Sequence, residues 1–316
     1  MSDGRVVMGT LLDIQLVVAG RDARSELDAL FDSVIELEGR VSHYDANSDV
    51  AQLSAAAGSG PQSVDPRVRE LIELSLRYAE LTSGAFDVTL GKLVDVWRRG
   101  VATEIDYEVV AVAREASGVE HLRVDEDGRV ELSREGVKLD FGGIAKGWAL
   151  DRLLPVLEKH SIDSALLSFG QSSVWARGVP PEGSSAGVGW TLALRLPGGS
   201  FAGHVTLRDQ ALSVSSSFPP EPPRASVVID PRTGWPVERR AIAVVITERA
   251  ALAEALSTAL LVLGFEEGLA LVESLENVEA LLVDEEGRLA ASSKWQEVSR
   301  FEEVGSGFRA LSPLAR

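Results

Sequence analysis

An α+β fold is predicted. Three observations point there: segments with helical spacing of apolar residues interleave irregularly with segments of strand-like alternation, turn-forming Gly, Pro and Ser clusters separate them, and no internal repeat runs along the chain. The composition agrees, with 45% hydrophobic and 25% charged residues, which excludes disordered, collagen-like and coiled-coil chains. No linker stands out, so residues 1–316 read as one domain in which two lobes are possible without a marked boundary.

The elements follow in order. Val6 to Val18 reads as a strand pair or one long strand, interrupted at Gly9. Leu27, Leu30, Phe31, Val34, Leu37 and Val41 keep the helical period, so a helix is expected over 25–41 with Ser25 as its cap. A polar loop follows from Ser42 to Asp49. Asp65-Pro66 opens a second helix, with the inner stripe Val68, Leu71, Ile72, Ser75, Leu76 and Ala79, ending near Ser83-Gly84. Val137 to Phe141 is expected as a short strand running into Gly142-Gly143 and an apolar helix through Leu157. Ser164 to Phe169, Leu192 to Leu196, His204 to Leu207 and Ala241 to Thr247 read as strands. Val179 to Gly189 and Phe218 to Pro223 read as loops. A helix from Ala250 should stop at Gly264, and a hairpin over Val278–Val283 and Arg288–Ala290 should follow.

Charge and composition narrow the function. Lys and Arg total 31 against 48 Asp and Glu, a formal net charge of −17, which argues against a nucleic-acid footprint. A polyphosphate ligand would therefore need a local cation or helix N-terminus. There are no cysteines, so disulfides, thiolate metal sites and cysteine nucleophiles are excluded. Four histidines at unrelated spacings make zinc chemistry an unattractive reading, and all four read as structural or surface residues. No run of about 18 apolar residues appears, so no transmembrane helix is expected. The first residues lack the apolar core of a leader. A cytoplasmic chain is the expectation, with a periplasmic or envelope-associated one as the alternative if a leader has been removed.

Four strings could carry chemistry, and each has a plain structural use beside it. The glycine turn after Asp140 frees backbone N–H groups for an anion, with Lys146 adding charge, or it is simply a tight turn; it matches neither a Walker A loop nor G-x-G-x-x-G. Glu254, Ser257 and Thr258 share one helix face and could offer hard oxygens to Mg²⁺, or be a solvated Glu and a Thr bonded back to the helix. Ala85-Phe86-Asp87 could cradle a flat ring, or Asp87 could cap the next element. Asp230-Pro231-Arg232-Thr233-Gly234 is a turn by its Pro and Gly placement.

Taken in order, six strings resemble the ApbE family, the FAD:protein FMN transferases. They are Met8-Gly9-Thr10; Ser42-His43-Tyr44 with Asn47 to Leu53; Ser83 to Thr89 with Gly91, Leu93 and Trp97; Leu139 to Asp151; Ile229 to Gly234; and Glu254 to Leu260 with Leu263-Gly264. The resemblance spans about Met8 to Val283. It implies mixed and antiparallel sheets with packed helices and an active cleft between lobes. It also implies Mg²⁺-dependent transfer of FMN from the substrate FAD to a Thr or Ser of a target protein, with release of AMP. Catalytic roles would fall on Glu254 and Thr258. Mg²⁺ would be held by the Gly143 carbonyl, Glu254, Ser257 and Thr258. FAD would be contacted at Met8, Tyr44, Ala85, Phe86, Asp87, Asp140, Lys146 and Val227.

The chain departs from the family's usual pattern at several points. Glu254 replaces an Asp, and its extra methylene requires a shifted helix or a water-mediated contact for the same metal geometry. Val227 stands near a customary His, Gln171-Ser172 follow Gly170 where a Gly-Asp-like pair is usual, and Ser216 replaces a Gly. Two other readings stay open: a flavin-binding member without transferase activity, and a scaffold that has kept the fold alone.

Overall fold

Residue alternation and a tight turn set the first strands: Ser2–Val7 (β1) and Thr10–Leu16 (β2) pair antiparallel on either side of Met8-Gly9. The computed structural model describes residues 1–20, 22–99, 106–181, 188–195, 201–218, 228–303 and 309–310. Helix Arg24–Val41 (α1) buries the predicted stripe completely, from Leu27 to Val41. It begins one residue before Ser25, whose hydroxyl bonds the Glu26 carboxylate at 2.7 Å and so does not cap. The segment expected as a loop ends in a short helix, Asp49–Ala55 (α2), because Ser48 accepts from the Ala51 N–H at 3.0 Å and Val50 and Leu53 reach the core. Pro66–Leu81 (α3) starts as expected, with Asp65 accepting from the Arg67 N–H at 2.9 Å; the Arg67 guanidinium holds the Asp65 carboxyl down at about 2.

Gly91–Arg99 (α4), Tyr107–Glu115 (α5) and the hairpin Leu122–Val124 (β3) with Val130–Leu132 (β4) were not legible as elements in the sequence. The strand expected over 137–141 does not form. Its one ladder contact is a parallel bridge from Lys138 to Leu90. Asp140 N–H bonds Val88 O at 2.8 Å and Leu139 N–H bonds the Ser54 hydroxyl at 3.2 Å, so its partners are a loop and a side chain rather than a second strand. Ala145–Lys159 (α6) follows the glycine turn. The remaining elements are Ala165–Phe169 (β5), Ser173–Arg177 (β6), Trp190–Arg195 (β7), Phe201–Leu207 (β8), Gln210–Ser216 (β9), Ala241–Thr247 (β10), Ala250–Glu273 (α7), Glu279–Asp284 (β11), Arg288–Ala291 (β12), Trp295–Ser299 (α8), Glu302–Glu303 (β13) and Arg309–Ala310 (β14).

The fold class is α+β, and the chain divides into two compact units. Unit 1 comprises Met1–Ile35, Lys146–Phe218 and Arg239–Arg316; unit 2 comprises Glu36–Ala145 and Pro219–Glu238. Unit 1 carries a nine-stranded sheet in the order β1-β2-β5-β6-β9-β10-β11-β12-β14, antiparallel except at β12–β14. A smaller sheet, β13-β8-β7, belongs to the same unit. One core of unit 1 gathers Leu207, Leu212, Val244, Ile246, Leu281 and Trp295. α7 lies on β9 and β10. By length and composition α7 could span a membrane, which the sequence alone did not suggest; 61% of its apolar window is buried within the protein. Gly264, at φ 81°, breaks its helical path where the sequence places a stop, a conformation that glycine adopts without a Cβ penalty. Unit 2 is built from α2 to α5 and β3–β4, with a core of Leu90, Leu93, Val110, Ala113 and Ile229. Trp97 ties the Asp230–Gly234 turn to that core through a bond from its indole N–H to Gly234 O at 2.9 Å.

Candidate functional site

In unit 1, α6 and α7 touch backbone to backbone at Gly147. A Cβ there would lie 2.5 Å from the Ala250 carbonyl carbon and 2.8 Å from the Ala251 nitrogen, both immovable atoms, so only glycine fits. One turn further along α6, Asp151 accepts from the N–H groups of Ala250 at 2.8 Å and Ala251 at 3.0 Å. It therefore caps α7 from a different helix, while Arg249 at the cap position makes no such bond. Burial pushes the Asp151 carboxyl up to about 6 against the pull of those two donors.

This close approach brings the Glu254 carboxylate onto the start of α6. Glu254 is 3% exposed, so it is not the solvated glutamate that its type alone would suggest. Its Oε2 accepts from the Gly147 N–H at 2.6 Å, and its Oε1 is paired with the Lys146 ammonium. Ser257 and Thr258 each donate to the Glu254 carbonyl, at 3.0 and 3.1 Å, which is the back-bonding expected of hydroxyls inside helices. Their hydroxyls also meet β9: Ser213 lies 3.1 Å from Ser257, and Ser215 lies 2.7 Å from Ser257 and 3.3 Å from Thr258. The two β9 serines were missed in the sequence, where the only available signal was the alternate placement of small hydroxyl residues in a segment not read as a strand.

Carboxylate and hydroxyl oxygens are the donors that Mg²⁺ takes, so the chemistry of the Glu254 face suits that ion. Both oxygens of the carboxylate are engaged, however, and a cation there would have to take Oε1 from Lys146. Among the described residues, no group of three or more His, Asp and Glu side chains comes together in a metal-holding arrangement. Met8, also in unit 1, sits in the β1–β2 turn with a left-handed backbone, φ 47°. Gln171 and Ser172 lie in the β5–β6 turn, and the Ser216 hydroxyl at the end of β9 accepts from the Phe218 N–H at 3.2 Å.

Unit 2 holds the other sequence candidates. Asp140 closes a turn by accepting from the Gly142 N–H at 2.7 Å, and Gly143 follows in the same turn, half-buried. Tyr44 is 77% exposed, and its hydroxyl accepts from the Arg98 guanidinium. The same guanidinium lies 3.4 Å from His43 Nε2 and 3.9 Å from the Asp140 carboxylate. Burial lowers the His43 pKa against the opposing pull of Asp140. Arg98 did not stand out in the sequence, and His43 was read there as a structural or surface residue inside a family-like string.

The Ala85-Phe86-Asp87 string has its structural use. Ala85 and Phe86 are each 3% exposed, and the Phe86 N–H bonds the Thr82 hydroxyl at 3.0 Å. Asp87 accepts from both the N–H and the hydroxyl of Thr89 at 2.7 Å, and burial raises its pKa. Phe86 therefore offers little ring face to a ligand here. Asp87 borders a cavity of about 620 Å³, with Ser83, Gly84, Arg114, His121 and Arg232 also on its wall. Val227 lies outside the described residues.

A family model described as the ApbE family matches residues 8–282. A protein of Treponema pallidum named FAD:protein FMN transferase is 30% identical over an alignment covering 92% of this chain and 86% of that protein. Among solved structures, the flavin transferase ApbE of Vibrio cholerae shares the fold with a TM-score of 0.84 at 24% identity, covering 94% of this chain and 98% of that one. The apo form of the flavinyl transferase ApbE of Pseudomonas stutzeri gives a TM-score of 0.82 at 27% identity, with coverage of 95% and 96%.

Proposed function

The chain belongs to the ApbE family, and we propose that it transfers FMN from FAD to a Thr or Ser of a target protein, releasing AMP, with Mg²⁺ as the assisting cation. The observation that carries this reading is the extent of the family match. It runs from residue 8 to 282 and takes in each of the six ordered strings, and relatives along it are named for this reaction. FAD and a protein acceptor are thus the partners.

In the reaction, the acceptor oxygen bonds the FMN phosphorus as the diphosphate P–O bond breaks. AMP leaves with the electrons of that bond, and the hydroxyl proton is released. The nucleophile belongs to the target, so this chain's task is positioning and charge neutralisation. Glu254, Ser257 and Thr258 are the residues of unit 1 that would hold Mg²⁺, which when bound supplies neutralisation of the diphosphate and of the departing AMP. Lys146 matches this role. Its side chain is 22% exposed while Glu254 is 4% exposed, so the ammonium can swing outward. With Glu254 turned to a cation, Lys146 is free for a phosphate, and the buried carboxylate keeps an opposite charge throughout.

The direct test incubates the protein with FAD, Mg²⁺ and a target peptide bearing an acceptor Thr, beside an ApbE relative as a positive control. A fluorescent covalent adduct that EDTA suppresses is expected. An unlabelled peptide, with the relative labelling it, rejects the transferase reading.

A further inference from the structure

We propose that Lys146 is a built-in counter-ion that keeps the cation site of unit 1 closed until a diphosphate draws it away, so that Mg²⁺ and FAD bind with positive coupling. The inference rests on the transferase reading and deepens it. The Glu254 side chain is 4% exposed, and its Oε1 is paired with the Lys146 ammonium. Its Oε2 is held by the Gly147 N–H at 2.6 Å. That donor cannot shift, because α6 and α7 meet backbone to backbone at Gly147 and leave no room there for a Cβ. The carboxylate is therefore anchored, while Lys146, at 22% side-chain exposure, is the member of the pair that can move. Ser257 and Thr258 bond the Glu254 carbonyl rather than its carboxylate, so the charge of the carboxylate is matched by Lys146.

Charge decides the consequence. A divalent cation taken up alone has to displace the ammonium from Oε1 and leave it, still charged, beside a second positive charge. A diphosphate taken up alone draws the ammonium out and strands a buried carboxylate, the costly way to break such a pair. When both arrive, the cation takes Oε1 and the ammonium meets a phosphate oxygen, so every charge keeps an opposite one. Each ligand thus favours the other, and linkage makes the effect mutual. The net charge of −17 does not supply this preference, since it attracts cations to every carboxylate alike.

The test is calorimetric titration of Mg²⁺ into wild type, Lys146→Met and Lys146→Arg, each without FAD and with saturating FAD. Without FAD, Lys146→Met should bind Mg²⁺ about tenfold more tightly than wild type, and Lys146→Arg should stay near wild type because it keeps the charge. FAD should tighten Mg²⁺ binding about tenfold more in wild type than in Lys146→Met. Direct contact between the cation and the diphosphate is common to both proteins and drops out of that comparison. In thermal melts without FAD, Mg²⁺ should raise the midpoint of Lys146→Met by more than that of wild type. Equal Mg²⁺ affinity of wild type and Lys146→Met without FAD overturns the proposal, as does an equal tightening by FAD in both. If Lys146→Met does not fold, Lys146→Gln, whose neutral amide can still donate to Oε1, carries the same comparison. A wild-type protein that binds no FAD overturns the transferase reading and the coupling with it, while the titrations without FAD still decide whether Lys146 closes the site.

Discussion

Lys146 in unit 1 and Arg98 in unit 2 each face a carboxylate, and the two pairs are built differently. The Glu254 side chain is 4% exposed and bonded on both oxygens, by the Lys146 ammonium and by the Gly147 N–H. Asp140 stands 3.9 Å from Arg98, whose side chain is 40% exposed. A buried pair cannot lose one member without stranding the other charge, whereas a pair whose cation is exposed and out of hydrogen-bond reach of its carboxylate contributes little to stability. The first arrangement is part of the fold's integrity; the second leaves its cation half-exposed.

The largest effect should come from Gly147→Ala, which drives a methyl group into the Ala250 backbone and moves the donor that Glu254 uses. A loss of at least about 3 kcal/mol in urea unfolding is expected, and a wild-type midpoint would show that α6 and α7 do not touch there. Lys146→Met comes next: it leaves the Glu254 carboxylate with the Gly147 N–H alone. About 3 kcal/mol of destabilisation is expected, largely recovered in the Lys146→Met/Glu254→Gln double variant. Additive losses in the double variant would break the contrast between the pairs. Arg98→Ala should stay within about 0.5 kcal/mol of wild type in the same assay; a larger drop would make Arg98 a structural residue too.

A further effect concerns pH. Burial raises Asp151 from 3.8 to about 6 in the folded state. Between those values the folded protein binds the proton and the unfolded chain does not, so this group's contribution to stability is fully present below about 4 and is lost as pH rises through 6. Acidifying from pH 7 to 5 should therefore raise the melting temperature of wild type relative to Asp151→Asn. Parallel curves for the two proteins would remove Asp151 as the source.

Much of the fold was legible because its signals are local. The interruption at Gly9 separates β1 from β2, although β1 begins at Ser2 and not at the expected Val6; the Asp65-Pro66 pair starts α3, and Gly264 breaks α7 where a stop was expected. Short elements escaped for the same reason. β6 has no alternation to read, being almost wholly buried, and α2 is only seven residues long. The strand expected over 137–141 failed because an apolar run does not supply a partner strand, and its neighbours in space are Val88 and Ser54. In the site, Thr258 returned its hydroxyl to the helix as its type allows, while Glu254 did not remain solvated.

The sequence by itself determined the family, through ordered strings that need no coordinates, and with it the expected chemistry of FAD and a protein hydroxyl. It also set the helix starts and stops that depend on a few adjacent residues. Only the tertiary structure decided which charges meet. Lys146 and Glu254 are 108 positions apart, and Arg98 and Tyr44 are 54 apart. Such pairings depend on how helices pack and how loops are held, and no local propensity encodes them.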